Sequence, residues 1–187
     1  MLWKGINMKD VYILAVESSC DDTSIAIVKN GKECIAMSIS SQIDVHNKFG
    51  GVVPEIASRM HCENILYVLE DCLSQTNLKI EDMDAIAVTY KPGLLGSLLV
   101  GLEFAKTVAA VYNKPLIGVN HLIGHIYANN IEDNLEFPLL ALVVSGGHTE
   151  LSIMHNNYKF ELLGTTLDDA IGESFDKVAR VLGFPYP

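Results

Sequence analysis

Two parts of the chain alternate short apolar runs with polar turns, in the pattern of a β-meander. The first begins with an apolar run over residues 11–16, which a polar turn over 17–22 follows, and residues 23–28 then alternate as a strand does. Asn30-Gly31 gives a strong hairpin signal, and a third strand is predicted over residues 33–40. The chain is therefore expected to open with three antiparallel strands whose first turn is rich in side-chain oxygens.

The same pattern returns near the end of the chain. An apolar strand, a polar turn and two further strands are predicted within residues 139–163. The pairs Thr23–Thr149 and Asn30–Asn156 share a constant offset of 126 positions, which is 149 − 23 and 156 − 30. This offset predicts an internal repeat, and a coincidence between two ordinary hairpins is the alternative.

Between the meanders, helical spacing alternates with short apolar strands. Residues 54–73 have the spacing of an amphipathic helix, residues 84–88 read as a strand, and a helix over 92–112 opens at a Pro-Gly pair. A strand over residues 115–119 and a helix that begins at His121 follow. The chain thus combines two meanders with helix–strand units between them.

A last helix is predicted over residues 167–182. One face of this helix is apolar and the opposite face is charged. The charged face carries Asp176, which is expected to have a binding role only if that face lines a ligand cleft. In such a cleft a carboxylate can accept hydrogen bonds from ribose hydroxyls. The apolar face is expected to be a buried stripe of Ile171, Phe175, Val178 and Leu182.

Two meander units separated by helices and strands predict the actin-like ATPase fold, an α/β architecture of two similar lobes. In this fold, facing hairpin turns donate backbone N–H groups to nucleotide phosphates. The expected first lobe, residues 9–118, is complete, whereas the second, residues 119–187, has one meander and one helix. Because such a unit cannot cover both faces of its sheet, the sequence predicts the N-terminal portion of a longer protein.

The composition narrows the function classes that fit. The chain has 187 residues, of which 49% are hydrophobic, and this favours a sizeable core over disorder. No apolar run approaches the roughly 20 residues of a membrane span, so no membrane association is expected. With a net charge of −10 and no cluster of Lys and Arg, contacts with a nucleic acid would come mainly from another chain or a missing part of this one. The cysteines, which form no C-x-x-C pair and are interpreted as reduced thiols of a cytoplasmic protein, are Cys20, Cys34, Cys62 and Cys72.

The clearest candidate for chemistry is the pair His121 and His125. Residues four apart on a helix share one face, so their rings can hold one metal ion. Two hydrogen-bonding histidines at a lobe boundary are the alternative interpretation. The zinc-peptidase pattern H-E-x-x-H places its general base directly after the first histidine, and Leu122 occupies that position here. Metal-dependent proteolysis therefore lacks its general base at this position.

Two polar turns are candidates for binding phosphates. Gly146-Gly147 follows an apolar strand, and adjacent glycines let a phosphate approach the backbone closely, although a plain turn also fits. Asp21 and Asp22 in the first turn supply carboxylates, which near phosphates usually act through a divalent cation or orient water. Solvated turn acids are the alternative for this second feature.

Six motifs follow one another along nearly the whole chain, from about Tyr12 to Pro187. On these motifs the chain resembles the TsaD family, which makes threonylcarbamoyladenosine in tRNA. The motifs are ESSCDDT at 17–23, GGVVPE at 50–55, PGLLG at 92–96, NHLIGH at 120–125, VSGGHT at 144–149 and DDAIGESFDK at 168–177.

The resemblance implies an actin-like enzyme that transfers the threonylcarbamoyl group from threonylcarbamoyl-AMP to adenosine 37 of tRNAs that read codons beginning with A. It also implies three partners, namely tRNA, a TsaB-like actin-fold paralogue and a TsaE-like ATPase that uses ATP. His121 and His125 match two ligands of a divalent metal, usually iron, with zinc possible. Asp21 matches an acidic residue beside the reaction centre and Asp176 a ribose-binding residue. The substrate-binding turn matches Val143, Val144, Ser145, Gly146 and Gly147.

Three features depart from the family pattern. The third protein ligand of the metal is an aspartate far downstream of this sequence, and a further substrate-binding glycine and asparagine also lie past Pro187. Tyr90-Lys91 stands where many members have small residues. Two alternatives to the transferase remain. One is a metal-dependent glycoprotein endopeptidase, an older label of the family, which Leu122 makes the less favoured function. The other is a non-catalytic actin-like scaffold, but TsaB-like paralogues lack the histidine pair, and its presence favours the catalytic member.

Overall fold

The computed structural model describes residues 9–184, which form two β-sheets and the helices around them. The residues past 184 that belong to the second expected lobe lie outside this range. The strands are β1 Tyr12–Glu17, β2 Asp22–Lys29, β3 Glu33–Ser41, β4 Ala85–Lys91, β5 Leu116–Asn120, β6 Leu139–Val144, β7 Thr149–Asn156 and β8 Lys159–Thr165. The helices are α1 Ile43–Asn47, α2 Pro54–Ser74, α3 Leu95–Val111, α4 His121–Ala128 and α5 Ile171–Leu182.

The first sheet has the strand order β3-β2-β1-β4-β5. Its first three strands form the antiparallel meander, whereas β1, β4 and β5 run parallel. Helices α2 and α3 pack against each other and onto this sheet, and a single apolar core lies between them. Because the carboxyl ends of the parallel strands meet at one edge, Glu17 and Asn120 end their strands on the same side of the lobe.

The internal repeat is confirmed by the pairing of the strands. Glu17 of β1 lies opposite Ser24 of β2, and the residues 126 positions later, Val143 and Glu150, lie opposite each other in β6 and β7. The second meander forms its own sheet in the order β6-β7-β8. A coincidental likeness between two hairpins would not reproduce this register, since a shift of one residue turns every side chain to the other face.

The last helix starts later than predicted, and its apolar face is exposed instead of buried. It begins at Ile171, not at residue 167, and Ala170 before it has an extended backbone. The expected buried stripe is exposed, and Phe175 at its centre is 70% accessible. The reason is that no described element packs on this face, because the second core consists only of Ile126, Ala141 and Met154 with a few partly buried neighbours.

The remaining predicted elements agree with the structure to within a few residues. The largest differences, of three residues each, are at the start of α3, which begins at Leu95, and at the ends of β4 and β7, which continue to Lys91 and Asn156. Both strands keep a pairing partner beyond their predicted ends. Within residues 9–184, no helix combines the length and apolar character needed to cross a membrane. All four cysteines are free thiols.

Candidate functional site

Helix α4 begins at the carboxyl edge of the first sheet because Asn120 caps it. The side-chain oxygen of Asn120 accepts hydrogen bonds from the backbone N–H groups of Leu122, at 2.9 Å, and Ile123, at 3.2 Å. A cap of this kind satisfies two of the N–H groups that a helix start leaves without partners. His121 is therefore the first residue of α4 and stands directly beside the end of β5.

The two histidines converge as the sequence predicts. The Nε2 atoms of His121 and His125 are 3.0 Å apart, and their rings meet edge to face. If a metal lay about 2.1 Å from each nitrogen, the usual metal–imidazole distance, the N–metal–N angle would be roughly 90°. Two neutral imidazoles suit iron and zinc as donors, so this pair fits two adjacent positions around such a metal.

The other ring nitrogen of His121 is held by the last residue of β1 and by the first turn. Its Nδ1 lies 3.0 Å from Oε2 of Glu17 and 3.1 Å from Oγ of Ser19. Glu17 also accepts hydrogen bonds from the Thr89 hydroxyl, at 2.7 Å, and from the backbone N–H of Ser19. Burial by itself raises the pKa of the Glu17 carboxyl, but the bonds from His121, Thr89 and Ser19 outweigh it and lower the pKa from its usual 4.5 to about 2.

His125 is kept neutral by its surroundings. Burial lowers its pKa below the usual value, and the neighbouring rings of His121 and His148 add to this effect, while Glu17 opposes it. A neutral imidazole is the form that binds a metal. Within residues 9–184, however, no group of three His, Cys, Asp or Glu side chains is arranged to hold a metal ion, so the candidate metal site in this part of the chain consists of the histidine pair.

The first turn is anchored from three sides. The carbonyl of Cys20 accepts hydrogen bonds from Nε2 of His61, at 2.9 Å, and from the Ser97 hydroxyl, at 3.2 Å. The Ser19 carbonyl accepts from the backbone N–H of Leu94, and a Cβ at Gly93 would lie only 2.5 Å from that oxygen. Glycine with its positive φ is therefore required where the 92–96 loop meets this turn.

Asp21 lies in this anchored turn, two residues after Ser19. Its backbone carbonyl accepts a hydrogen bond from the N–H of Gln42, and its side chain is half-buried. Within residues 9–184, its carboxylate has no hydrogen bond to either histidine of the pair. Asp21 nevertheless lies at the same edge of the sheet as the histidine pair, in a turn that Ser19 connects to His121.

The second turn, residues 145–148, closes on itself and leaves its glycines open. The Ser145 N–H donates to the His148 carbonyl at 2.8 Å, and the His148 N–H donates to the Ser145 hydroxyl at 3.0 Å. In the described part of the chain, the N–H groups of Gly146 and Gly147 have no acceptor, and no atom approaches within 4 Å of where their Cβ would lie. Two neighbouring free N–H groups suit an anion.

A cavity of about 520 Å³ is lined by one residue of the histidine pair, His125, and by the first residue of this turn, Ser145. His125 lies at one end of its wall, and Val143, Val144 and Ser145 form another part. Asp176 does not line this cavity. It lies one turn beyond Gly172 on the same face of α5, and Gly172 contacts the second turn, so Asp176 is on the side of the helix that faces the turn.

Comparison with known proteins places the chain in a family. The family model described as TsaD, tRNA N6-adenosine threonylcarbamoyltransferase, matches residues 33–187. The chain belongs to the TsaD family. It is 55% identical over 179 residues to the tRNA N6-adenosine threonylcarbamoyltransferase of Staphylococcus carnosus. The matched segment covers 96% of this chain and 52% of that protein. The protein of the same name from Listeria welshimeri is 56% identical over 183 residues, 98% of this chain and 53% of its own length. This TsaD-family chain thus spans about half the length of the curated relatives it matches.

Solved structures confirm the actin-like fold of this TsaD-family chain. YeaZ from Pseudomonas aeruginosa superposes with a TM-score of 0.54 at 17% identity, covering 82% of this chain and 64% of YeaZ. The ethanolamine utilization protein EutJ from Carboxydothermus hydrogenoformans has a TM-score of 0.54 at 13% identity, covering 94% of this chain and 58% of EutJ. Both neighbours have the actin-like ATPase fold.

Three residues of the TsaD-family site were not singled out from the sequence. Glu17 and Thr89 contact His121 or its partner, and His61 supports the first turn. Glu17 carried a usable signal, because a charged residue that ends a buried strand lies at the edge where ligands bind. Thr89 and His61 carried none, since one lies inside a buried strand and the other on the inner face of a helix. Tyr90, noted as a departure from the family pattern, packs its ring over Gly118 of β5.

Proposed function

We propose that this chain takes part in transferring the threonylcarbamoyl group from threonylcarbamoyl-AMP to adenosine 37 of tRNAs that read codons beginning with A. The observation that carries the proposal is the convergence of the His121 and His125 Nε2 atoms, 3.0 Å apart, beside a cavity that the second turn also lines. Membership of the TsaD family and the name shared by its relatives support the same reaction.

His121 and His125 are the residues of this chain that would hold a divalent metal, most plausibly iron, with zinc as the second choice. Their imidazole nitrogens suit both metals. Such a metal would supply Lewis-acid polarisation of the donor's carbonyl or phosphate oxygens. The histidines themselves contribute two converging ring nitrogens, since the His121 ring is held through Nδ1, and burial lowers the pKa of His125.

The second turn would bind the phosphate of the donor. The N–H groups of Gly146 and Gly147 have no acceptor among the described residues, and the Cβ side of both glycines is open, so these N–H groups are available to a phosphate oxygen. Val143 and Val144 would line the wall along which the adenylate lies, and Ser145 would hold the turn closed through its bonds with His148. Asp176, on the α5 face directed to this turn, would accept hydrogen bonds from the ribose hydroxyls.

The reaction itself is an acyl transfer. The N6 amine of the adenosine attacks the carbonyl carbon of the mixed anhydride, a C–N bond forms, the C–O bond to phosphate breaks, and AMP leaves. Binding donor and amine in one orientation supplies much of the acceleration. Asp21, in the anchored first turn, would orient the amine and accept the proton that it releases.

The proposal includes partners and a compartment. The net charge of −10 means that tRNA phosphates would be gripped mainly by other chains or by residues beyond this sequence. We propose a TsaB-like actin-fold paralogue and a TsaE-like ATPase as these partners, with ATP as the ATPase's substrate, and the cytoplasm as the site of action. Four free cysteines agree with a reducing compartment.

The test is an assay for modified adenosine with threonine, bicarbonate, ATP, unmodified tRNA and the two partner proteins. Because this chain spans half of its relatives, it should be assayed alone and joined to the C-terminal half of the Listeria welshimeri relative. The joined protein is expected to modify tRNA. His121→Ala and His125→Ala should each lower the rate at least about 100-fold by removing a metal ligand. His155→Ala, an exposed histidine paired with Glu161, is the matched control and should retain activity.

Other results would contradict the proposal. A folded joined protein that gives no modified adenosine but cleaves a glycoprotein would support the endopeptidase alternative. No activity of either kind, with nucleotide still bound, would support a non-catalytic scaffold.

A further inference from the structure

Glu17 occupies a position that its contacts define closely. It is the last residue of β1, one-third of its side chain is accessible, and its carboxylate lies between β4 and the start of α4. Oε2 is 3.0 Å from Nδ1 of His121 and 2.7 Å from the Thr89 hydroxyl, while Oε1 faces the backbone N–H of Ser19. The carboxylate thus touches one of the two histidines of the pair and leaves the other free.

These contacts fix where the hydrogen of His121 must be. A carboxylate only accepts hydrogen bonds at neutral pH, so each group in contact with it has to donate. The Thr89 hydroxyl and the Ser19 N–H do so, and the Nδ1 of His121 must therefore carry the ring hydrogen. The Ser19 hydroxyl, 3.1 Å from the same nitrogen, is then a second acceptor. In the neutral ring, Nε2 of His121, which faces His125, then carries the lone pair.

We propose that Glu17 is a positioning residue that holds His121 in the Nδ1–H form, with the unprotonated Nε2 directed at the metal. A metal-bound histidine usually donates its other N–H to a carboxylate or carbonyl, which fixes both the ring and its basicity. Thr89 and the Ser19 backbone hold the carboxylate itself in place. The inference rests on the proposed function for the role of the metal, but the state of the His121 ring does not depend on it.

The same geometry makes the two histidines unequal. In residues 9–184, Nδ1 of His125 has no hydrogen-bond partner, and its Nε2 lies 3.0 Å from Nε2 of His121. Without metal, His125 must therefore place its hydrogen on Nε2 and donate it to His121. When a metal binds, that hydrogen has to leave Nε2, and the free Nδ1 can accept one from solvent. His121 is ready for the metal beforehand, whereas His125 changes its tautomer.

The test is to read the tautomers directly in the 187-residue chain by two-bond ¹H–¹⁵N correlation of ¹⁵N-labelled histidine, with His121→Ala and His125→Ala to assign the signals. Without metal, His121 is expected as the Nδ1–H form and His125 as the Nε2–H form. Titration with Zn²⁺ should leave the His121 tautomer unchanged and convert His125 to Nδ1–H. No transferase activity is needed for this measurement, so its outcome is separate from that of the proposed function.

Variants test the role of Glu17 itself. In Glu17→Gln one amide position carries an NH₂ group, which must face either Ser19 N–H or the His121 and Thr89 donors. We expect mixed His121 tautomers and an affinity for Zn²⁺ about 10- to 100-fold weaker. Glu70→Gln, an exposed carboxylate on α2, is the control and should change neither. Thr89→Val, which removes one donor to the carboxylate, should have a smaller effect in the same direction.

Two results would overturn the proposal. One is a wild-type His121 that carries its hydrogen on Nε2, which needs no variant to detect. The other is a folded Glu17→Gln whose His121 tautomer and Zn²⁺ affinity equal those of the wild type. If Glu17→Gln fails to fold, the wild-type spectrum and Thr89→Val still decide the question.

Discussion

The backbone of Gly172 lies directly against the carbonyl oxygen of Ser145. Its N–H donates to that oxygen at 3.2 Å, and a Cβ at position 172 would be 2.7 Å from the oxygen and 2.8 Å from Cα of Gly146. The neighbouring N–H of Ile171 donates to the Thr149 hydroxyl at 2.9 Å. The first two residues of α5 thus attach the helix to the second turn and to the start of β7, and the Gly172 contact directs the face with Asp176 toward the turn.

Gly172→Ala should detach the start of α5 from the second turn. Both blocking atoms belong to the backbone, so the helix has to move, and the bond from Ile171 to Thr149 should be lost. Amide hydrogen exchange at Ile171 is expected to rise at least about 10-fold, since a locally opened group loses its protection. Gly164→Ala, where the added Cβ meets open space, serves as the control. Equal exchange in both variants would contradict the proposed attachment.

Gly101→Ala should destabilise the first lobe. A Cβ there would lie 2.3 Å from the Ser18 hydroxyl, which is buried and bonded to the Ser97 carbonyl. Overpacking of this kind costs about 1–3 kcal/mol in the free energy of unfolding, measured by urea denaturation. Adding Ser18→Ala should recover part of the loss, because it removes the closest atom; strict additivity of the two changes would argue against a direct clash.

Gly124→Ala should have the opposite sign, although this glycine also lies within a helix. No atom is found within 4 Å of its Cβ position among the described residues, and its backbone is helical. Replacing a helical glycine by alanine stabilises by roughly 0.5–1 kcal/mol through the entropy of the unfolded chain. The change is measured by urea denaturation. A destabilised variant would show that other atoms occupy the Cβ position in solution.

His61 should make stability depend on pH. Burial lowers its pKa below the usual 6.5, so it is neutral in the folded protein, where it bonds to the Cys20 carbonyl and the Thr23 hydroxyl. A group whose folded pKa is depressed contributes stability above its unfolded pKa and loses it as pH falls through the folded pKa. The free energy of unfolding should therefore decline from pH 7 toward pH 5. His61→Gln should flatten that decline, and an unchanged slope would assign it to other groups.

Substitutions at a buried and at an exposed apolar residue in the C-terminal part of the chain should have very different effects on stability. Met154 is fully buried, and Met154→Ala should cost about 2–5 kcal/mol. Phe175 is 70% accessible on α5, and Phe175→Ser should change the free energy of unfolding by less than about 0.5 kcal/mol. A large loss of stability in Phe175→Ser would mean that this face is covered in solution.

Much of the local structure follows from short-range patterns. The repeat with an offset of 126 positions could be recognised from pairs such as Thr23 and Thr149. The strand register reproduces this offset because alternation determines which face of the sheet each side chain takes. The start of α4 at His121 also follows from its neighbour, since Asn120 is a strong helix cap. The start of α5 did not follow, because Gly172 is positioned by a contact with Ser145 rather than by helix propensity.

The sequence by itself determined that His121 and His125 share a helix face, because four-residue spacing is a local property of any α-helix. Only the tertiary structure decided what surrounds them. Glu17 is 104 positions before His121 and meets it because parallel strands β1, β4 and β5 end at one edge of the sheet. The exposure of Phe175 was decided in the same way, since burial depends on what packs against a face and not on the pattern of the face itself.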